Sequence, residues 1–164
     1  MNEMGRRACP AVRAGGAIAL LVAALCACSG IAPYVSTGGH NFFVRADLEP
    51  GVRARIDVYR VDAQCRPDYR GSVALEGAGA GEGLALTDRS LLVFSFTTSS
   101  FWSGTRTMKR ELLLDPRRGH RYEARLQYQK SIYNIAVRER SASAGGAREL
   151  ELIGLEGCRP RAAK

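Results

Sequence analysis

Residues 105–128 read TRTMKRELLLDPRRGHRYEARLQY. From His120 the chain alternates strictly. His120, Tyr122, Ala124, Leu126 and Tyr128 take one side, while Arg121, Glu123, Arg125 and Gln127 take the other. Side chains of an extended strand point to opposite faces in turn, so a period of two with one apolar phase marks a half-buried strand. Upstream, Thr105 to Leu114 is a second strand segment, and Asp115-Pro116-Arg117-Arg118-Gly119 lies between the two. Proline fixes one φ and glycine admits a positive one, so this segment is a turn, and the unit is expected to be a hairpin.

The same signal recurs outward from this unit. Ile132 to Glu139 follows after a tight Gln129-Lys130-Ser131 connection, and Glu149 to Leu155 reads as a last short strand. Leu91 to Thr98 (LLVFSFTT) is apolar in both phases, the pattern of a central strand covered on both faces. In Val52 to Val61, Val52, Ala54, Ile56 and Val58 alternate with Arg53, Arg55 and Asp57, and a shorter strand centres on Val73 and Leu75 between Gly71 and Gly77. Glu76 to Gly83 and Ser141 to Ala147 are expected to be flexible loops because of their glycine content. No stretch of ten residues carries a helical stripe. Short strands at roughly ten-residue spacing, joined by Gly and Pro turns, predict an all-β antiparallel sandwich of about seven to nine strands. The phrase Leu114-Asp115-Pro116…Gly119…Tyr122 resembles one found in small immunoglobulin-like or prealbumin-like envelope modules, over fewer than about ten residues.

The chain has 164 residues, 46% hydrophobic and 24% charged, with 24 Lys plus Arg against 16 Asp plus Glu. That suffices for one core and is too apolar for a disordered chain. No apolar run reaches the roughly 18–20 residues of a bilayer-spanning helix. The N-terminus is patterned differently. Arg6, Arg7 and Arg13 precede Ala17 to Leu25, a run without a polar side chain, the layout of an export signal.

Leu25-Cys26-Ala27-Cys28 closes that run and resembles the lipobox of bacterial lipoproteins. The resemblance implies cleavage before Cys28, a diacylglycerol and an N-acyl chain on Cys28, and an anchor in the membrane. Ser29, where an Asp would favour inner-membrane retention, implies the periplasmic face of the outer membrane. An ordinary secretory signal cleaved near Ala27 is the other reading of these residues. Segments 1–27, 28–39 and 40–164 are then expected to be signal peptide, lipidated tether and sandwich. The resemblance also removes Cys9 and Cys26 with the signal and assigns Cys28 to lipid. Cys65 and Cys158 remain, and in an oxidising compartment they are expected to form one disulfide. The mature chain keeps 21 basic and 15 acidic residues, a net +6. Such a domain is drawn to anionic headgroups or glycans, while nucleic acid is not expected as a partner in that compartment.

Chemistry-bearing patterns are sparse. His40 and His120 are the two histidines, and there is no Gly-x-Ser-x-Gly elbow, His-Glu-x-x-His helix or phosphate-cradling loop. No catalytic residue, metal site or cofactor beyond the lipid is therefore expected. Asp57, Glu123 and Glu139 alternate with arginines and are expected to be cross-strand ion pairs worth about 0.2–1 kcal/mol each. Arg117, Arg118, Arg121 and Arg125 gather around one turn and the strand leaving it. They read as a solvated basic face. Alternatively, they contact phosphate or carboxylate groups of lipopolysaccharide, peptidoglycan or an acidic protein, using the bidentate reach of Arg. Trp102, at a strand end beside Gly104, either caps the core or meets a partner. The expected function is that of a lipid-anchored structural or adaptor component of the envelope, with ligand binding through the arginine face as the alternative.

Overall fold

The computed structural model describes residues 31–100, 104–142 and 145–160. They form an all-β sandwich of nine strands: β1 (Phe42–Leu48), β2 (Val52–Val61), β3 (Pro67–Glu76), β4 (Ala80–Leu84), β5 (Ser90–Ser100), β6 (Gly104–Leu114), β7 (His120–Gln129), β8 (Ile132–Ser141) and β9 (Ala147–Leu150). One sheet runs β4-β1-β7-β8-β9 and the other β3-β2-β5-β6. All pairings are antiparallel except β1 with β7, which is parallel.

Alternation builds the core. Phe42, Val44, Ala46 and Leu48 of β1 and Tyr122, Ala124, Leu126 and Tyr128 of β7 are buried, opposed by Ala54, Ile56, Leu92, Phe94 and Phe96 of the other sheet. Phe96 bridges the layers, its ring centre 6.0 Å from Tyr128 and 5.8 Å from Tyr133. β5 lies between β2 and β6, and both its faces are covered as expected. Its second apolar phase, Leu91 and Val93, is shielded with Val61 by the C-terminal tail, where Cys158 is joined to Cys65.

The hairpin expected at residues 105–128 does not form. β6 pairs β5, β7 pairs β1 and β8, and the turn at Asp115–Gly119 carries the chain from one sheet to the other. Either arrangement buries Leu112 and Leu114 with Tyr122 and Ala124. Alternation fixes which face of a strand is apolar and leaves open which strand lies beside it.

Two further expectations are corrected. The glycine-rich segment 76–83 is not wholly a loop, because β4 begins at Ala80 and pairs β1 from Ala46↔Ala80 to Phe42↔Leu84. The backbone ladder supplies what its missing side chains do not. The last strand is shorter than expected: β9 ends at Leu150, and Leu155–Gly157 is a 3-10 turn leading to Cys158.

Before β1, the segment expected to be tether lies partly against the sandwich. Ser72 N–H donates to the Ala32 carbonyl and Tyr34 N–H to the Ser72 carbonyl, each at 2.9 Å. Tyr34 Oη donates to the Ala85 carbonyl, and Ser36 Oγ accepts from Ala85 N–H, both at 2.8 Å. Gly71 makes the approach possible. Its φ is +133°, and a Cβ there would stand 2.6 Å from Tyr34 Cα.

Candidate functional site: an arginine-lined hollow

Because Tyr122, Ala124 and Leu126 point into the core, Arg121, Glu123 and Arg125 stand on the outer face of the five-stranded sheet. The register places neighbours beside them. Phe43 lies between Gly83 and Glu123, and Arg45 between Gly81 and Arg125; on the far side Glu123 faces Arg138 and Arg125 faces Ala136. With Gly81 and Gly83 on β4 and only a methyl at Ala136, long side chains rise from a low floor. They surround an open hollow of about 1090 Å³.

His40 lies over Gly83, where a Cβ would sit 2.5 Å from its Nδ1, and meets Phe43 edge-on at 6.5 Å between ring centres. Arg121 Cζ stands 3.8 Å from the Phe43 ring centre, a cation–π contact that orders one wall. Arg45, Arg121, Arg125 and Arg138 supply the positive charge, and Asp47, Glu82 and Glu123 alternate with them. Arg121 Nε is 3.6 Å from Glu123 Oε1. Chemically this is a rim of guanidinium forks, suited to carboxylate or phosphate, interleaved with acceptors suited to hydroxyls.

The four arginines singled out in the sequence therefore separate. Arg121 and Arg125 line the hollow. Arg118 is exposed at the 115–119 turn. Arg117 serves a different cluster, its N–H donating to Tyr122 Oη at 3.0 Å. Trp102 and Cys28 lie outside the described residues. Arg45, Arg138 and the two glycines escaped sequence reasoning, since they come together only through β1–β7 and β7–β8 pairing. The alternation of β1 was the available signal.

Glu139 marks the second cluster. It faces inward beside Tyr122 and is buried. Arg148 Nη2 donates to its Oε2 at 2.6 Å and Tyr122 Oη to its Oε1 at 3.2 Å. His120 Nδ1 lies 2.9 Å from the same Oε1 without the alignment of a hydrogen bond. Burial opposes ionisation of Glu139. The Arg148 and Tyr122 hydrogen bonds and the Arg148 and Arg117 charges outweigh it and hold the carboxyl below its ordinary range. Burial, joined by the Glu139 charge, pushes the Tyr122 phenol up against the lowering effect of the Arg117 N–H. Of the three expected cross-strand pairs only Glu139–Arg148 joins two strands; Asp57 and Glu123 each pair an arginine two residues earlier on their own strand.

Among the described residues no group of three His, Cys, Asp or Glu side chains is placed to hold a metal ion. The fold and the hollow together define an all-β sandwich carrying a mixed, arginine-rich recess on one sheet face. No protein-family model matches the chain, and no curated protein matches it either.

Proposed function

We propose that this protein is a lipid-anchored component of the bacterial envelope that works by binding, without a catalytic step. In this reading Cys28 carries the diacylglycerol and N-acyl chains and holds the sandwich at the periplasmic face of the outer membrane. The hollow holds an anionic envelope ligand, a glycan bearing phosphate or carboxylate groups among its hydroxyls. The observation that carries the proposal is the convergence of Arg45, Arg121, Arg125 and Arg138 on one glycine-floored recess. A hydrogen bond to a charged group contributes about 1.5–3 kcal/mol, so each engaged guanidinium is worth roughly tenfold or more in affinity.

The test is binding of the purified protein to lipopolysaccharide and to peptidoglycan fragments at low and at high salt. Arg45→Gln with Arg125→Gln is expected to weaken binding at least about tenfold and to flatten its salt dependence. Binding unchanged in that variant overturns the hollow as the ligand site. The acids that interleave with the arginines favour a second reading, in which the sandwich is a protein adaptor and the recess a solvated face. For the anchor, Cys28→Ser is expected to move the protein from the membrane to the soluble fraction after a high-salt wash, and retention there overturns lipidation.

A further inference from the structure

The second surface lies on the other sheet, away from the hollow and independent of the anchor. β6 pairs β5 along one side, and among the described residues no strand pairs with its other side. One bond shows which backbone groups face outward: Leu113 N–H donates to the Ile153 carbonyl at 2.7 Å, away from β5. In an antiparallel ladder the N–H and C=O of a residue point the same way, and the direction alternates along the strand. The β5–β6 register runs without a break from Ser90↔Leu114 to Ser100↔Gly104. Thr105, Thr107, Lys109 and Glu111 therefore turn their N–H and C=O outward as Leu113 does. Thr107 Oγ1 lies 3.4 Å from Thr97 Oγ1 and Thr105 Oγ1 lies 3.5 Å from Ser99 Oγ, the close side-chain spacing of pairs that do not exchange backbone bonds.

The tail thus occupies the rung at Leu113, and Glu111 Oε2 accepts from Leu155 N–H at 3.4 Å. From Lys109 back to Gly104 the ladder continues with outward groups and nothing described upon it. Proteins blunt such edges with prolines, bulges or charge, and β6 has neither proline nor bulge. Between Gly104 and Arg110 it carries charge instead, all of it positive. Met108, Leu112 and Leu114 turn toward the core, which places Arg106 and Arg110 in their phase and Lys109 in the other. Two β6 edges brought together would juxtapose these cations, which disfavours a second copy.

We propose that the Gly104–Lys109 edge accepts an extended acidic segment of a partner protein as a fifth strand of this sheet. Backbone bonds to Thr105, Thr107 and Lys109 give the affinity, and Asp or Glu side chains beside Arg106, Lys109 and Arg110 give the preference.

The probe is a blocked ten-residue peptide alternating glutamate and valine, with a lysine–valine peptide as control, titrated into the isotopically labelled full chain in detergent. Amide exchange at Thr105, Thr107 and Lys109 is expected to slow at least about tenfold with the acidic peptide only. Arg106, Met108 and Arg110, already bonded to β5, are expected not to change. Thr107→Pro removes an outward N–H and no bond of the β5–β6 ladder, and is expected to abolish the effect. Arg106→Glu with Lys109→Glu, both at exposed positions, is expected to reverse the preference toward the lysine–valine peptide. Unchanged exchange at the three outward amides overturns the proposal, as does slowing that survives Thr107→Pro. Slowing that follows protein concentration without peptide also overturns it, in favour of a second copy.

Discussion

Glu139 shows how one side chain can carry the pH response of the fold. Its carboxyl is held below the ordinary range in the folded chain by Arg148, Tyr122 and Arg117 despite burial. The folded state therefore takes up a proton less readily than the unfolded state. The stability contributed is fully present above the unfolded value near 4.5 and is lost as pH falls through the lower folded value. The melting temperature is expected to drop below about pH 4.5, and Glu139→Gln is expected to flatten part of that drop. At neutral pH the substitution should cost about 1.5–3 kcal/mol, the range for a hydrogen-bonded buried charge, as measured by denaturant midpoint. Gly71 is the other position where one atom decides. Gly71→Ala would set a Cβ against Tyr34 backbone at positive φ, and is expected to destabilise by about 1–3 kcal/mol. Loss of amide protection at Tyr34 and Ser72 would report that the segment before β1 has lifted.

At the level of elements, the sequence tells faces better than neighbours. β2, β5, β7 and β8 were legible because each keeps one apolar phase, or two, over eight or more residues. β4 was hidden because Gly81 and Gly83 have no side chains with which to alternate, although their backbone groups pair as well as any. The β6–β7 corner read as a hairpin because a Pro-Gly turn fits both arrangements. The hollow was half legible for the same reason: Arg121 and Arg125 belong to one strand, whereas Arg138 reaches it from the neighbouring strand β8 and Arg45 through pairing with β1 across a long sequence distance. The Cys65–Cys158 link belongs to this scale too, since it clamps the tail over Leu91 and Val93. Replacing both cysteines by serine is expected to cost up to about 4–5 kcal/mol in the chain-entropy treatment for a separation of 93 residues. A difference in denaturant midpoint that disappears in reductant would check it.

For the whole molecule, net charge and the proposed anchor are expected to act together. In the proposed lipidated form, the net +6 left after the first 27 residues are removed would give a long-range attraction that salt screens over about 10 Å at 0.1 M, whereas the acyl chains would hold by apolar burial, which salt does not weaken. Cys28→Ser is therefore expected to keep a weak hold on anionic vesicles at low ionic strength and to release on raising it, while the lipidated protein stays bound. Flotation across a salt series separates the two.

If Cys28 is lipidated as proposed, the docking of Ala32 to Ser36 against β3 and the segment after β4 sets the length of the leash. From Cys28 to Ala32 the backbone spans four residues, at most about 14 Å when fully stretched. A fatty acyl group at Cys28 would leave the sandwich little slack to wander, and anything it meets would have to come close to the bilayer surface to be met.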